Sequence, residues 1–281
     1  MSNIKTSAEC MKTVCEIGGG KPKQNPVSNI LLAFLAGAYI GLGSLLAIKT
    51  AGNIPVATWG NISRLVFGGV FPVGLLLVLM AGADLFTGNC MYMPGAVLHK
   101  KAGWGGLARS WVISWVGNLL GGLAVAFFLG FLAGVLFDSA ADGSRPLAAY
   151  AVNLANAKCK LDFSTAFLRG IGCNWLVCLA IYMGLAVNDG ASRVLAIWPP
   201  ITAFVVLGFE HSVANMTFIP LGIFLGSSDV YLNNAVALPA LTATWGAFFI
   251  DNLIPVTLGN IVGGAVFVAM IYYRSNNLKP E

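Results

Sequence analysis

The sequence predicts an all-α membrane protein: six transmembrane helices in an inverted repeat of three and three, with the second and fifth helices broken. Three observations carry that prediction. Hydrophobic residues make up 57% of the 281-residue chain and charged residues only 10%, where a soluble domain carries about 25% charged residues. Six apolar stretches are long enough to cross a bilayer, at roughly 20 residues each. Two of those stretches, both interrupted by polar residues, can be laid on each other without a gap.

The elements follow in chain order. Segment 1–27 is polar, carries Lys5, Lys12, Lys21 and Lys23 and has no apolar core, so no signal peptide is expected and the first span inserts and stays. Within it SAECMKTVCEIGGGKPK (Ser7–Lys23) reads as a short helix ending at Gly18–Gly20. A transmembrane domain over 28–274 follows, with a tail at 275–281. Its spans are expected at Ile30–Ile48, Leu65–Val97 with an interruption, Trp111–Phe137, Phe163–Val187, Val194–Leu225 with an interruption, and Phe248–Tyr273.

Lysine and arginine set the orientation. With both termini inside, the inner segments hold ten of them (Lys5, Lys12, Lys21, Lys23, Lys100, Lys101, Arg109, Arg193, Arg274, Lys279), and the outer ones five (Lys49, Arg64, Arg145, Lys158, Lys160). Both ends are therefore expected in the cytoplasm. The net charge of +5 needs no more than contact with anionic lipid, and nothing resembles a nucleic-acid-binding pattern. None of the six cysteines forms a CxxC pair, and no cofactor or metal is expected.

The repeat is written in three places. GADLFTGNCMYMP (Gly82–Pro94) aligns with GFEHSVANMTFIP (Gly208–Pro220), pairing Asp84 with Glu210, Asn89 with Asn215 and Pro94 with Pro220. AFLAG (Ala33–Gly37) resembles AFLRG (Ala166–Gly170), and GNLLGG (Gly117–Gly122) resembles GNIVGG (Gly259–Gly264). The matches come in the same order in both halves. Three spans is an odd number, so the second half enters from the opposite side. Backbone broken at membrane depth survives only where protein buries it or water lines it. Asn89 and Asn215 are expected at or near the N-caps of the second half-helices, whose positive ends favour an anion or polar oxygen at the midplane. Asp84 and Glu210 are expected to brace the breaks. Gly121–Gly122 and Gly263–Gly264 are expected to let helices approach closely, with Asn118 in a packing role.

LMAGADLFTG (Leu79–Gly88), GIGCNWLVCLA (Gly170–Ala180), GFEHSVANM (Gly208–Met216) and DNLIPVTLGN (Asp251–Asn260) together resemble signature segments of the formate/nitrite transporter family. The resemblance runs from about Asn29 to Tyr273. It implies an aquaporin-like fold in a homopentamer, one pore per protomer, in the plasma (inner) membrane. The substrate it implies is a small monovalent weak-acid anion, with formate expected ahead of nitrite or hydrosulfide, together with protons. It places the family's central histidine on His211, its loop threonine on Thr87, its vestibule lysine on Lys158 and its pore asparagine on Asn260. Its apolar constrictions fall on Phe71, Leu75, Leu85 and Phe204; without the resemblance, each reads as an ordinary packed core position. Arg169 departs from the pattern, in span four where an apolar residue is expected. It either pairs with an acid or adds positive charge to the outer vestibule.

The expected mechanism starts from cost. An isolated carboxylate in a low-dielectric space costs tens of kcal/mol, whereas protonating it near pH 7 costs roughly three pKa units, or about 4 kcal/mol. The anion is expected to collect at Lys158 and gain a proton on reaching the apolar zone. It would then cross as the neutral acid past Thr87, His211 and Asn260, in symport with the proton. Whether His211 donates that proton or only hydrogen-bonds stays open at this stage. The N-terminal helix is expected either to gate the pore or to anchor on the membrane surface. An aquaporin-type neutral-solute channel would carry NPA at both breaks, and this chain has none. A haem-bearing redox subunit would need paired histidines, and the chain holds only His99 and His211. No enzymatic activity is expected.

Overall fold

The computed structural model describes residues 4–280; residues 1–3 and 281, the ends of the expected segments 1–27 and 275–281, lie outside the described residues. The architecture is helical, and the one β feature among the described residues is an isolated antiparallel bridge between Ile4 and Val187. Helix α1 is Ser7–Gly20 and α2 is Pro26–Ala51. Next come α3, Ile62–Ala81, and α4, Phe86–Leu98. Helix α5 is Trp104–Leu132, α6 is Pro146–Cys159 and α7 is Phe163–Ala186. The last three are α8 (Gly190–Val206), α9 (Ser212–Gly226) and α10 (Trp245–Ser275). Five of these, α2, α3, α5, α7 and α10, are long and apolar enough to cross a membrane. The fifth expected stretch is instead divided between the shorter apolar helices α8 and α9.

Glycine ends both interrupted helices. Gly82 closes α3 at φ +76° and Gly208 follows α8 at φ +72°. Left-handed backbone of this kind costs an L-residue about 1–2 kcal/mol, and glycine nothing. The chain then runs extended through Leu85 and His211 before α4 and α9 begin. Those two half-helices form the centre of the molecule: α9 is buried from Ser212 to Ile223, and α4 from Phe86 to Met93.

The surrounding helices pack closely because small residues sit at the crossings. A Cβ on Gly263 would stand 2.5 Å from the carbonyl oxygen of Ile171, and one on Gly170 would stand 2.8 Å from that of Val256. In lipid there is little hydrophobic force between helices, so this backbone approach and the dispersion contact it brings hold α7 against α10. Three stretches wind as π-helix: Val125–Leu132, Phe248–Leu253 and Gly263–Met270.

Helix α1 lies against α4 with Cys10, Met11, Val14 and Cys15 buried. The first and last described helices meet on this side, where the Asn276 amide donates to Ser7 Oγ at 3.0 Å. This side is termed the terminal face and the opposite one the far face. Helix α6, which lies between the third and fourth expected spans, packs against α9 on the far face.

Candidate functional site

The site is built from the two breaks, and each is held by the same set of bonds. Asn118 Oδ1 accepts from the Phe86 N–H at 2.8 Å, while its amide donates to the carbonyls of Ala33 (2.7 Å) and Asp84 (3.0 Å). Asn260 repeats this at the other break. Its Oδ1 accepts from the Ser212 N–H at 2.9 Å, and its amide donates to the carbonyls of Gly170 (2.8 Å) and Glu210 (3.0 Å). Both asparagines are fully buried. Broken backbone in an apolar interior leaves polar groups whose loss of water costs about 1–3 kcal/mol each; each side chain takes up two of them and ties the break to a carbonyl of a neighbouring helix, Ala33 in α2 or Gly170 in α7. Asn118 therefore does more than pack, and the Asn260 side chain is occupied with backbone.

The carboxylates are matched in the same way. Lys21 Nζ lies 2.5 Å from Asp84 Oδ1, and the Asn89 amide donates to the same oxygen at 2.9 Å. Lys158 Nζ lies 2.8 Å from Glu210 Oε1, and the Asn215 amide donates to Oε2 at 2.6 Å. Each lysine also sits over an aromatic ring, Lys21 over Tyr92 and Lys158 over Phe218. Asn89 and Asn215 thus lie near the N-caps without being the caps themselves. Those positions are Leu85 and His211, and the two asparagines lie in the first helical turn, reaching back to the acids. The reason is geometric: Asp84 and Glu210 are buried and need donors, and an asparagine five residues on is in reach of each.

His211 caps α9. Its Nδ1 accepts the Ala214 N–H at 3.0 Å, so the neutral ring carries its proton on Nε2 and donates to Thr87 Oγ1, also at 3.0 Å. Thr87 is fully buried, and its own hydroxyl proton is left for a third group. The Asn174 amide holds the Thr87 carbonyl at 3.1 Å and the Asn260 carbonyl at 2.6 Å, tying the two breaks together.

Two cavities flank this centre. One of about 300 Å³ is lined by Phe71, Phe204, His211, Lys158 and Glu210, with Arg64 and Arg169 also on its wall. The other, of about 290 Å³, is lined by Lys21, Leu85, Asn89, Tyr92 and Arg193. The first meets α3 at Arg64 and α7 at Arg169, near the starts of those helices; the second meets them at Val78 and Ile181, near the ends. The cavities therefore open on opposite faces. Phe71 and Phe204 meet edge to face with ring centroids 5.8 Å apart, and Phe204 stacks on His211 at 5.9 Å. Leu75 is 2% exposed and Thr87 fully buried, and neither lines either of these two cavities. They belong to the closed region between.

Sequence reasoning missed Lys21, Asn118, Asn174 and Asn252 as parts of this site. The alignment of GNLLGG with GNIVGG carried the signal for Asn118. Nothing local marks Lys21 or Asn252; the latter joins the far network by accepting from Asn215 at 2.7 Å.

A model of the formate/nitrite transporter family matches residues 8–274. The chain is 47% identical to a probable formate transporter from Methanothermobacter thermautotrophicus, over 97% of each chain. It is 36% identical to the nitrite transporter NirC of Escherichia coli, over 89% of this chain and 84% of that one. A solved structure described as a pentameric formate channel with formate bound superposes with a TM-score of 0.74 at 31% identity, covering 90% of this chain and 98% of that one.

Proposed function

The chain belongs to the formate/nitrite transporter family, and from that premise we propose that it is a plasma-membrane channel passing formate as the neutral acid, coupled to a proton. It is a transporter and not an enzyme. One observation carries the reading: a buried donor pair, His211 Nε2–H to Thr87 Oγ1, lies between cavities that open on opposite faces. Formate is chosen because relatives over nearly the whole chain are named for it.

Six spans in an inverted repeat are the arrangement proposed: α2, α3 with α4, α5, α7, α8 with α9, and α10. Two features support it. The Asn118 and Asn260 networks match bond for bond. Helix α3 also runs from the far face toward its break, while α8 starts beside the cavity on the terminal face. The lysine and arginine distribution supports cytoplasmic termini, and with that orientation the far cavity is the outer one. A homopentamer is proposed by likeness to the pentameric formate channel.

The proton is supplied by water. Donation from neutral His211 would leave an imidazolate, and prior protonation at Nδ1 would break the bond that caps α9. The ring is placed to donate a hydrogen bond, which passes through the Thr87 hydroxyl to a substrate oxygen. Phe71, Phe204, Leu75 and Leu85 exclude water, so the charged form is penalised and the neutral acid crosses.

The test is uptake into proteoliposomes, with formate, nitrite and hydrosulfide offered separately across external pH. Formate uptake is expected to rise on acidification. Asparagine is itself a favoured N-cap, so His211→Asn keeps α9 capped but loses the ring that reaches Thr87. Uptake should fall by about tenfold, the worth of roughly one hydrogen bond. Unchanged uptake and pH dependence in His211→Asn would sink the mechanism.

A further inference from the structure

Two arginines on the wall of the far cavity have no part in the mechanism above. Arg64 stands near the start of α3 and Arg169 two turns into α7, and both are exposed. They share one cavity with Lys158, Glu210 and His211. Among the described residues neither guanidinium has a carboxylate within ion-pair distance or donates a hydrogen bond. Arg193 differs: on the terminal-face cavity it is tied to the carbonyl of Gly184 at 3.1 Å.

Charge accounting separates the two kinds of cation. Lys158 lies 2.8 Å from Glu210, and their side chains are 12% and 5% exposed. Such a pair is a dipole with no net charge. Three cations against one carboxylate leave the cavity wall at +2, and that excess belongs to Arg64 and Arg169. Asp162 and Asp251 lie on the same face but do not line the cavity, and Asp162 is occupied by Ser164 and Thr165. Apolar walls, among them Phe67, Phe71 and Phe204, concentrate the field of unpaired charges. A guanidinium stays charged at any working pH and presents parallel N–H groups that match two oxygens on one atom.

We propose that Arg64 and Arg169 form an anion-docking subsite at the mouth of the far cavity, ahead of the Lys158–Glu210 pair, selective for planar anions with two oxygens on one atom over hydrosulfide. The inference rests on the anion-channel reading and names the residues that select its substrate. On this proposal Arg169 adds positive charge to the outer vestibule rather than pairing with an acid.

The test compares the wild type with Arg64→Gln/Arg169→Gln and Arg64→Lys/Arg169→Lys, each first shown to elute as the wild type does. In proteoliposomes the glutamine pair should raise the half-saturating formate concentration about tenfold at low salt. The effect should shrink at about 1 M salt, where the Debye length is near 3 Å. The lysine pair should restore low half-saturation but lose the preference for formate over hydrosulfide. Line broadening of [13C]formate by the detergent-solubilised protein gives a readout independent of transport, and the glutamine pair should abolish it. An unchanged half-saturating concentration with unchanged broadening in the glutamine pair overturns the subsite. Retained formate preference in the lysine pair overturns recognition by the fork. Broadening without flux in the wild type would support the subsite and sink the channel reading.

Discussion

At the scale of single residues, the buried acids and their lysines decide most. Glu210 is 3% exposed and held by Lys158, Asn215 and Asn252. Removing one partner of a buried pair leaves an uncompensated charge, which costs about 3–5 kcal/mol. Lys158→Met is therefore expected to lower the unfolding temperature in detergent. Adding Glu210→Gln should recover most of the loss, because the amide leaves no charge to compensate. Equal unfolding temperatures for the single and double variants would show that Lys158 does not hold Glu210. Sequence reasoning found both acids, because an acid is conspicuous in an apolar run. It could not find Lys21, since a lysine in a polar N-terminal segment resembles its neighbours until the fold brings it to Asp84.

At the scale of elements, α1 is the piece most open to change. Its first turn is closed by a reciprocal cap: the Glu9 carboxylate accepts the Thr6 N–H at 2.7 Å, and the Thr6 hydroxyl accepts the Glu9 N–H. The backbone bond from Thr6, with its hydroxyl, holds the Glu9 carboxyl below its usual 4.5. A lowered folded value means stability that is present above about pH 4.5 and lost as pH falls through the folded value. Amide-exchange protection at Ser7–Met11, taken relative to the intrinsic exchange rate at each pH, should fall on acidification, and Glu9→Gln should remove that fall. Helix α1 leads directly to Lys21, which closes on Asp84 at the terminal-face cavity. We propose that it gates the pore, and removing residues 1–20 should abolish pH-dependent closure measured as flux; closure that survives the deletion places the gate elsewhere. The helix itself was legible, since glycines mark its end. Helix α6 was not, because its apolar residues meet α9 and no periodic stripe stands out from a chain that is apolar throughout.

At the scale of the whole molecule, assembly is the expectation to check. Large apolar side chains such as Leu31, Val112, Leu168 and Ile250 stand exposed on the outer helices, as lipid or neighbouring protomers require. Native mass spectrometry should give a species of five times the 29.4 kDa chain mass; a monomer retaining full flux would remove the pentamer from the reading.

The membrane class, the approximate places of the apolar helices, the two breaks and the acids within them were legible in the chain alone. These follow from hydropathy, from glycine's access to positive φ, and from the cost of charge in lipid, all of which are local. It also carried the likeness between halves that pairs Asn118 with Asn260. It took the folded arrangement to show that His211, not Asn215, caps α9, that both break lysines are neutralised, and that Arg64 and Arg169 are the unpaired charges of the far cavity. Hydrogen bonds and ion pairs of the site join residues from 3 to 124 positions apart, and which distant donor reaches which acceptor is settled by helix packing rather than by spacing along the chain.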